Sequence, residues 1–316
     1  MNILITGIHG FVGSNMVKAY ASQHTLYGLD IVAPEVEGVK KTFSWDDLRQ
    51  GNLPEVDAII HLAGKAHDTK NKAKADVYFQ INTELTKQIY DYFLASTAKK
   101  FVFFSSSKAA ADRVEGDVLT EEVQPKPKGP YGESKIAAEQ YIFSKEDVRE
   151  KEGKSVFVLR PCMIHGPGNK GNLNLLFAVV RRGIPWPLGA FENRRSFTSI
   201  GNLTFAVEHL LAGEAASGVY NMCDDEALST NELITLICTT IGKKPRIWHL
   251  SKPFMECVAK IGSVAHLPLN TERLQKLTEN YVASNSKIKQ AIGVERMPVR
   301  AAEGLEQTIK SFELCN

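Results

Sequence analysis

Short apolar runs recur along the first half of the chain and alternate with longer mixed stretches. The runs are NILIT (2–6), TLYGLD (25–30), DAIIHLA (57–63), KFVFFSS (100–106) and SVFVLRP (155–161). They are rich in Val, Ile, Leu and Phe, the composition of strands covered on both faces. The intervening stretches near 11–22, 76–96 and 131–151 read as helices. Alternation of this kind predicts right-handed crossovers and a parallel sheet. The second half is less regular. Gly, Pro and Asn punctuate 166–172 and 183–195, which read as loops. GVYNM (218–222) reads as a further strand, and 229–241, 253–263, 284–292 and 301–313 read as helices. The prediction is an α/β chain, a doubly wound parallel sheet with a smaller, mostly helical C-terminal lobe. Residues 1–162 and 195–221 are assigned to the sheet domain, and 163–194 and 222–316 to the second lobe.

Composition narrows the class. The 316 residues are enough to bury a substantial core. A formal net charge of +2 gives no field that would recruit nucleic acid. The five cysteines, Cys162, Cys223, Cys238, Cys257 and Cys315, are far apart and form no CxxC pair, so neither a disulfide framework nor a metal site is expected. Reduced thiols, no evident signal peptide and no apolar run of membrane-spanning length lead to the expectation of a cytoplasmic protein without membrane insertion.

Between the first strand and first helix lies TGIHGFVG, with Gly7, Gly10 and Gly13. Glycines at this turn permit a tight bend, close approach of backbone to a phosphate, and packing of helix on strand. The helix N-terminus then offers free N–H groups to a pyrophosphate. Asp30 ends the second strand, 17 residues beyond Gly13. A carboxylate there suits both ribose hydroxyls of NAD and repels the 2′-phosphate of NADP. A Rossmann sheet holding NAD, with NADP possible, is the expectation.

Downstream, GPYGESKIAAE (129–139) sets Tyr131 and Lys135 four positions apart, on one face of a helix. A neighbouring ammonium would stabilise the phenolate and fit the tyrosine to exchange a proton with an alcohol. FVFFSSSKAAAD supplies serine hydroxyls at the carboxyl end of the fourth strand, where open α/β sheets place their sites. His61 reads as a core histidine, Cys162 as packing, and His9 as either a loop residue or a phosphate contact.

These motifs resemble the extended short-chain dehydrogenase/reductases of the nucleotide-sugar epimerase/dehydratase family. The resemblance is carried by TGIHGFVG, Asp30, IIHLAG (59–64), FFSSS (103–107), PYGESK (130–135), LRP (159–161), HGPG (165–168) and RRSFTSIGNL (194–203), in family order. It implies that Gly7, Gly10, Phe11, Val12, Gly13, Asp30, Ala63, Gly64, Tyr131 and Lys135 hold the dinucleotide. It makes Tyr131 the acid/base, Lys135 its partner, and Ser107 the catalytic serine. Asn172 and Arg195 would contact a nucleotide diphosphate-sugar, with Met163 and His165 at the edge of its pocket. A homodimer through the 76–96 and 131–151 helices is also implied.

The departures restrict the chemistry. Ser107-Lys108-Ala109 stands where 4,6-dehydratases of the family carry Thr-Asp-Glu, so the acidic pair for dehydration is missing. Met163 stands where many members have an asparagine, so the sugar pocket differs from that of the ordinary hexose epimerases. NKGNLNLL and IPWPLGAFENRRSF resemble a subgroup from bacterial surface-polysaccharide pathways. The resemblance implies NAD(P)-dependent hydride transfer at C4 of a UDP-sugar, with reduction of a UDP-4-keto-6-deoxy-N-acetylhexosamine preferred. The alternatives are a UDP-hexose or UDP-N-acetylhexosamine 4-epimerase retaining NAD, and a dinucleotide-binding sensor without turnover.

Overall fold

The computed structural model describes residues 1–65, 74–169, 171–265 and 269–314; Cys315, and Lys170 of the 166–172 stretch, lie outside them. The chain opens with β1 (Asn2–Thr6), α1 (Phe11–Tyr20), β2 (Thr25–Leu29), β3 (Val39–Phe43), α2 (Trp45–Gln50) and β4 (Ala58–His61). Next come α3 (Ala75–Tyr78), a π-helical turn (Phe79–Glu84), α4 (Leu85–Ala95), β5 (Lys100–Phe104) and α5 (Ser107–Ala110). The middle holds α6 (Pro130–Phe143), α7 (Glu146–Lys151), β6 (Ser155–Pro161), β7 (Met163–His165), α8 (Asn172–Arg181), β8 (Phe197–Ser199), α9 (Ile200–Ala212) and β9 (Gly218–Met222). The chain ends with α10 (Thr230–Thr240), α11 (Lys252–Val264), α12 (Thr271–Thr278), α13 (Ser286–Ala291) and α14 (Ala301–Leu314).

The main sheet is parallel throughout, in the order β3-β2-β1-β4-β5-β6-β9. Its inner strands are buried on both faces, and alternate residues serve different cores. Ile3, Ile5, Ala58, Ile60, Val102, Phe157 and Leu159 pack with α1 and α9. Leu4, Ile59, Phe101, Phe103, Val156 and Val158 pack with α2, α4 and α6. Strand order reverses between β1 and β4, which opens a crevice at their carboxyl ends. A further apolar core joins α8, α10, α11, α12 and α14 around Trp186, Phe197, Ile237 and Leu305. The short parallel pair β7–β8 joins this core to the sheet.

Local sequence explains the element ends. Pro130 occupies the first turn of α6, where its missing N–H costs nothing. Reciprocal capping boxes start α2 (Ser44 with Asp47) and α10 (Ser229 with Glu232). The single helices expected over 131–151 and 76–96 are both interrupted. The first breaks at Ser144–Lys145 into α6 and α7, and the second contains the π turn.

Candidate active site

The glycine turn lies at the crevice. Gly7 adopts φ +69°, and a Cβ there would lie 2.9 Å from the Ala63 nitrogen, so β1 and β4 meet only over glycine. A Cβ at Gly13 would run into the carbonyl oxygens of Gly7 and Ile8. Gly10 precedes α1, whose first turn carries Phe11 and Val12, both half-buried. The Asp30 carboxylate accepts from the backbone N–H of His9 (3.1 Å) and of Ile31 (2.7 Å), placing it at the glycine turn. The His9 ring pairs with the Thr42 hydroxyl at 3.0 Å. A backbone cradle of this kind, with a carboxylate at the end of β2, fits the pyrophosphate and ribose of a dinucleotide.

The next wall follows β4. The Ala63 N–H donates to the Thr6 hydroxyl at 3.0 Å. That hydroxyl also contacts His61 Nδ1 at 2.6 Å, while His61 Nε2 contacts the Thr86 hydroxyl at 2.8 Å. His61 is fully buried; burial, then the Lys135 charge, lower its pKa to about 3. It is a neutral core residue, as expected. Gly64 lies against the π turn and α6: a Cβ there would sit 3.0 Å from Asn82 Oδ1 and 3.1 Å from Lys135 Nζ. Asn82, in the π turn, accepts from the Lys65 N–H (2.8 Å) and donates to the Lys65 carbonyl (3.2 Å), fixing this segment.

The Tyr131–Lys135 pair differs from expectation in its electrostatics. Lys135 is buried, and its ammonium donates to the Phe104 carbonyl at 2.8 Å. Burial lowers its pKa to about 8, opposed by the nearby Glu139. Tyr131 has its pKa raised, foremost by burial; a hydrogen bond with Ser106 counteracts this. The expected lowering of the phenol by Lys135 is therefore corrected, because desolvation dominates and the ammonium is turned toward β5.

Each of the three serines has its own partner. Ser105 donates to Glu139, Ser106 bonds the Tyr131 phenol, and Ser107 bonds the Tyr281 phenol. Tyr281 in turn donates to the Ala111 carbonyl at 2.9 Å. Glu139 is held by a forked pair of bonds from Arg160, at 3.0 and 2.5 Å, with both residues buried. Two hydroxyls thus border the cleft where one was expected, and Ser107 is one residue removed from the phenol. Sequence reasoning missed Asn82, Tyr281 and Glu139, and it offered Ser106 only as one of the serine hydroxyls of FVFFSSSKAAAD, the catalytic role going to Ser107. Of the three missed, Glu139 carries a signal, since Tyr131, Lys135 and Glu139 repeat every four positions on one helix face.

The remaining substrate candidates separate. Arg195 is half-buried and donates to the Lys276 carbonyl at 2.6 Å; its backbone pairs with Leu228, beside Tyr281. Asn172 is exposed at the start of α8. Met163 is half-buried and packs on the C-terminal core. His165 is a correction. It is fully buried, with Nδ1 3.0 Å from the Thr308 hydroxyl and Nε2 3.4 Å from Asp224, so it serves the core and not the pocket edge. The following Gly-Pro-Gly loop meets α1, where Asn15 donates to the Pro167 carbonyl at 3.0 Å.

The family model described as NAD dependent epimerase/dehydratase matches residues 3–228. The chain belongs to this family. As a member of the NAD dependent epimerase/dehydratase family, it is an NAD-dependent enzyme of the short-chain dehydrogenase/reductase type, built on a Rossmann-like parallel sheet. It is 28% identical to the UDP-glucose 4-epimerase of Vibrio cholerae, over 100% of this chain and 96% of the relative. It is 24% identical to the N-acetyl-alpha-D-glucosaminyl-diphospho-ditrans,octacis-undecaprenol 4-epimerase of Escherichia coli O157:H7, over 98% and 94%. Among solved structures, MoeE5 in complex with UDP-glucuronic acid and NAD superposes with a TM-score of 0.78 at 21% identity, covering both chains completely.

Proposed function

We propose that this enzyme carries out redox chemistry at C4 of a UDP-sugar, and that the net reaction is 4-epimerisation. The observation that carries the C4 chemistry is the convergence of Ser106, Tyr131 and Lys135 beside the glycine cradle at the carboxyl end of the sheet. Epimerisation moves ahead of the ketoreduction expected from sequence because both curated relatives described above are 4-epimerases matched over nearly their whole length.

Bound NAD would supply the hydride acceptor and donor. Gly7, Gly10, Gly13 and Asp30 would hold its pyrophosphate and adenosine ribose, and Ala63, Gly64 and Lys135 the rest. Tyr131 would accept the proton of the sugar O4 as C4 is oxidised and return it as C4 is reduced. Ser106 steadies the phenol, and Ser107 orients the sugar oxygen. Lys135 supplies the fixed positive charge. Arg195 and Asn172 hold the diphosphate, and Met163 shapes the sugar pocket. The lack of carboxylates at Lys108 and Ala109 excludes water elimination by the family's acidic pair.

A paired assay tests the reading. UDP-glucose and UDP-N-acetylglucosamine are each supplied without added cofactor, and the C4 epimer is sought. UDP-4-keto-6-deoxy-N-acetylglucosamine is supplied with NADH or NADPH, and loss of reduced nicotinamide is followed. Epimer without net redox change, abolished in Tyr131→Phe, is the expected result. Stoichiometric consumption of NADH or NADPH with no epimer would replace epimerisation by ketoreduction.

A further inference from the structure

The C-terminal lobe has an outward face that the active site does not use. Helix α11 buries Met255 and Ala259 in the lobe's core. Its other side carries Phe254 (55% exposed), Cys257 and Ile261 (59% exposed). At 3.6 residues per turn, Phe254 and Ile261 lie about 20° apart, with Cys257 about 60° from Phe254, well away from the buried side. The strand-like segment leading into α11 adds Trp248, 56% exposed. That segment runs beside 186–189, with Trp248 N–H donating to the Trp186 carbonyl (2.7 Å) and Trp186 N–H to the Arg246 carbonyl (2.8 Å). Ile184, half exposed, precedes the paired stretch. Large apolar side chains gathered this way mark an interaction surface.

The charges around the stripe indicate what covers it. Between residues 243 and 264 the chain has Lys243, Lys244, Arg246, Lys252 and Lys260, all exposed, against Glu256 alone. The whole protein has a net charge of only +2, so the cations are concentrated here. Lys243, Lys244 and Arg246 also border a cavity of about 270 Å³ whose apolar lining is Val180, Ile184, Ile234 and Cys238. Apolar side chains including a tryptophan, rimmed by lysine and arginine, complement the interface of an anionic bilayer. A protein partner would need matching acids and a fixed shape; a bilayer needs only this pattern.

We propose that α11 and the segment before it dock the enzyme on an anionic phospholipid surface, lying on the bilayer without crossing it. Phe254, Ile261 and Trp248 enter the acyl boundary, and Lys244, Arg246, Lys252 and Lys260 meet the lipid phosphates.

Flotation of the full-length protein with vesicles tests this. Vesicles of phosphatidylethanolamine and phosphatidylglycerol should carry the protein, and pure phosphatidylcholine vesicles should not. Phe254→Ser with Ile261→Ser, and separately Lys244→Glu with Arg246→Glu, should each weaken partitioning by about tenfold or more. All four side chains are exposed, so melting temperature and NAD binding should stay at wild-type values and exclude misfolding. Absence of the wild-type protein from anionic vesicles would overturn the proposal. So would variants that float as well as wild type. Loss of a dimer in the Phe254→Ser, Ile261→Ser variant, read by sedimentation velocity without lipid, would assign the face to a second copy instead.

Discussion

In the proposed mechanism, Ser106 and Ser107 divide a role that Ser107 alone was expected to fill beside Tyr131. The Ser106 hydrogen bond pulls the Tyr131 pKa down against burial. Ser106→Ala should therefore move the limb of kcat/KM governed by the phenol to higher pH and lower kcat by roughly 10- to 100-fold. Ser107→Ala should lower kcat while leaving that limb in place. Stopped assays across the pH range separate the two. Lys135, with a pKa of about 8, is an ammonium below that pH and neutral above it. Activity should decline as pH rises through about 8, and this limb should vanish in the residual activity of Lys135→Met. His61 shows the same physics in stability. Its folded pKa of about 3 lies below the ordinary 6.5, so between those values the unfolded chain binds the extra proton. Stability falls as pH drops through that window, by up to about 1.4 kcal/mol per pH unit. Urea midpoints of His61→Gln should show a shallower acid slope than those of wild type.

At the scale of elements, legibility followed burial. β1, β4, β5 and β6 are apolar along nearly their whole length because helices cover both faces, and that pattern is visible in sequence. β3 was missed because it is an edge strand: Lys40 and Lys41 face solvent and dilute its apolar signal. The π turn was missed because one extra residue per turn leaves no periodic trace, yet it fixes the placement of Asn82. The motif around Tyr131 located the helix and its acid/base pair, but neither the partner of each serine nor the direction of the Lys135 ammonium. Those depend on how α5 packs on α6, a contact between segments more than twenty residues apart. Gly64 tests the placement of the Lys135 ammonium. Gly64→Val should push Lys135 and Asn82 aside and weaken NAD binding about tenfold or more, measured by fluorescence titration, with little change in melting temperature because Gly64 is exposed.

Across the whole molecule, the two regions are joined by a buried polar cluster. The Asp224 carboxylate accepts from Ser199 N–H and its hydroxyl, both at 2.9 Å, and from Asn202 at 2.7 Å, and it faces His165. Asn202 in turn pairs with both backbone groups of Val299. Asp224→Ala would leave these donors buried without an acceptor and should cost about 3 kcal/mol, read as a lowered denaturation midpoint. The same cluster lies where the chain passes repeatedly between its regions. β9, the last strand of the sheet, comes only after β7, α8 and β8, and α14 returns to pack beside β7 and β8. During synthesis, then, the ribosome releases a sheet that lacks an edge strand after β7, α8 and β8 have already emerged. Helix α14, which follows all the other elements described, completes that region's core with Leu305, Ile309 and Phe312. The C-terminal core cannot be cut out as one continuous gene fragment, because α9 and β9, which belong to the sheet, lie between α8 and α10; grafting that core between relatives requires replacing two separate stretches of coding sequence at once.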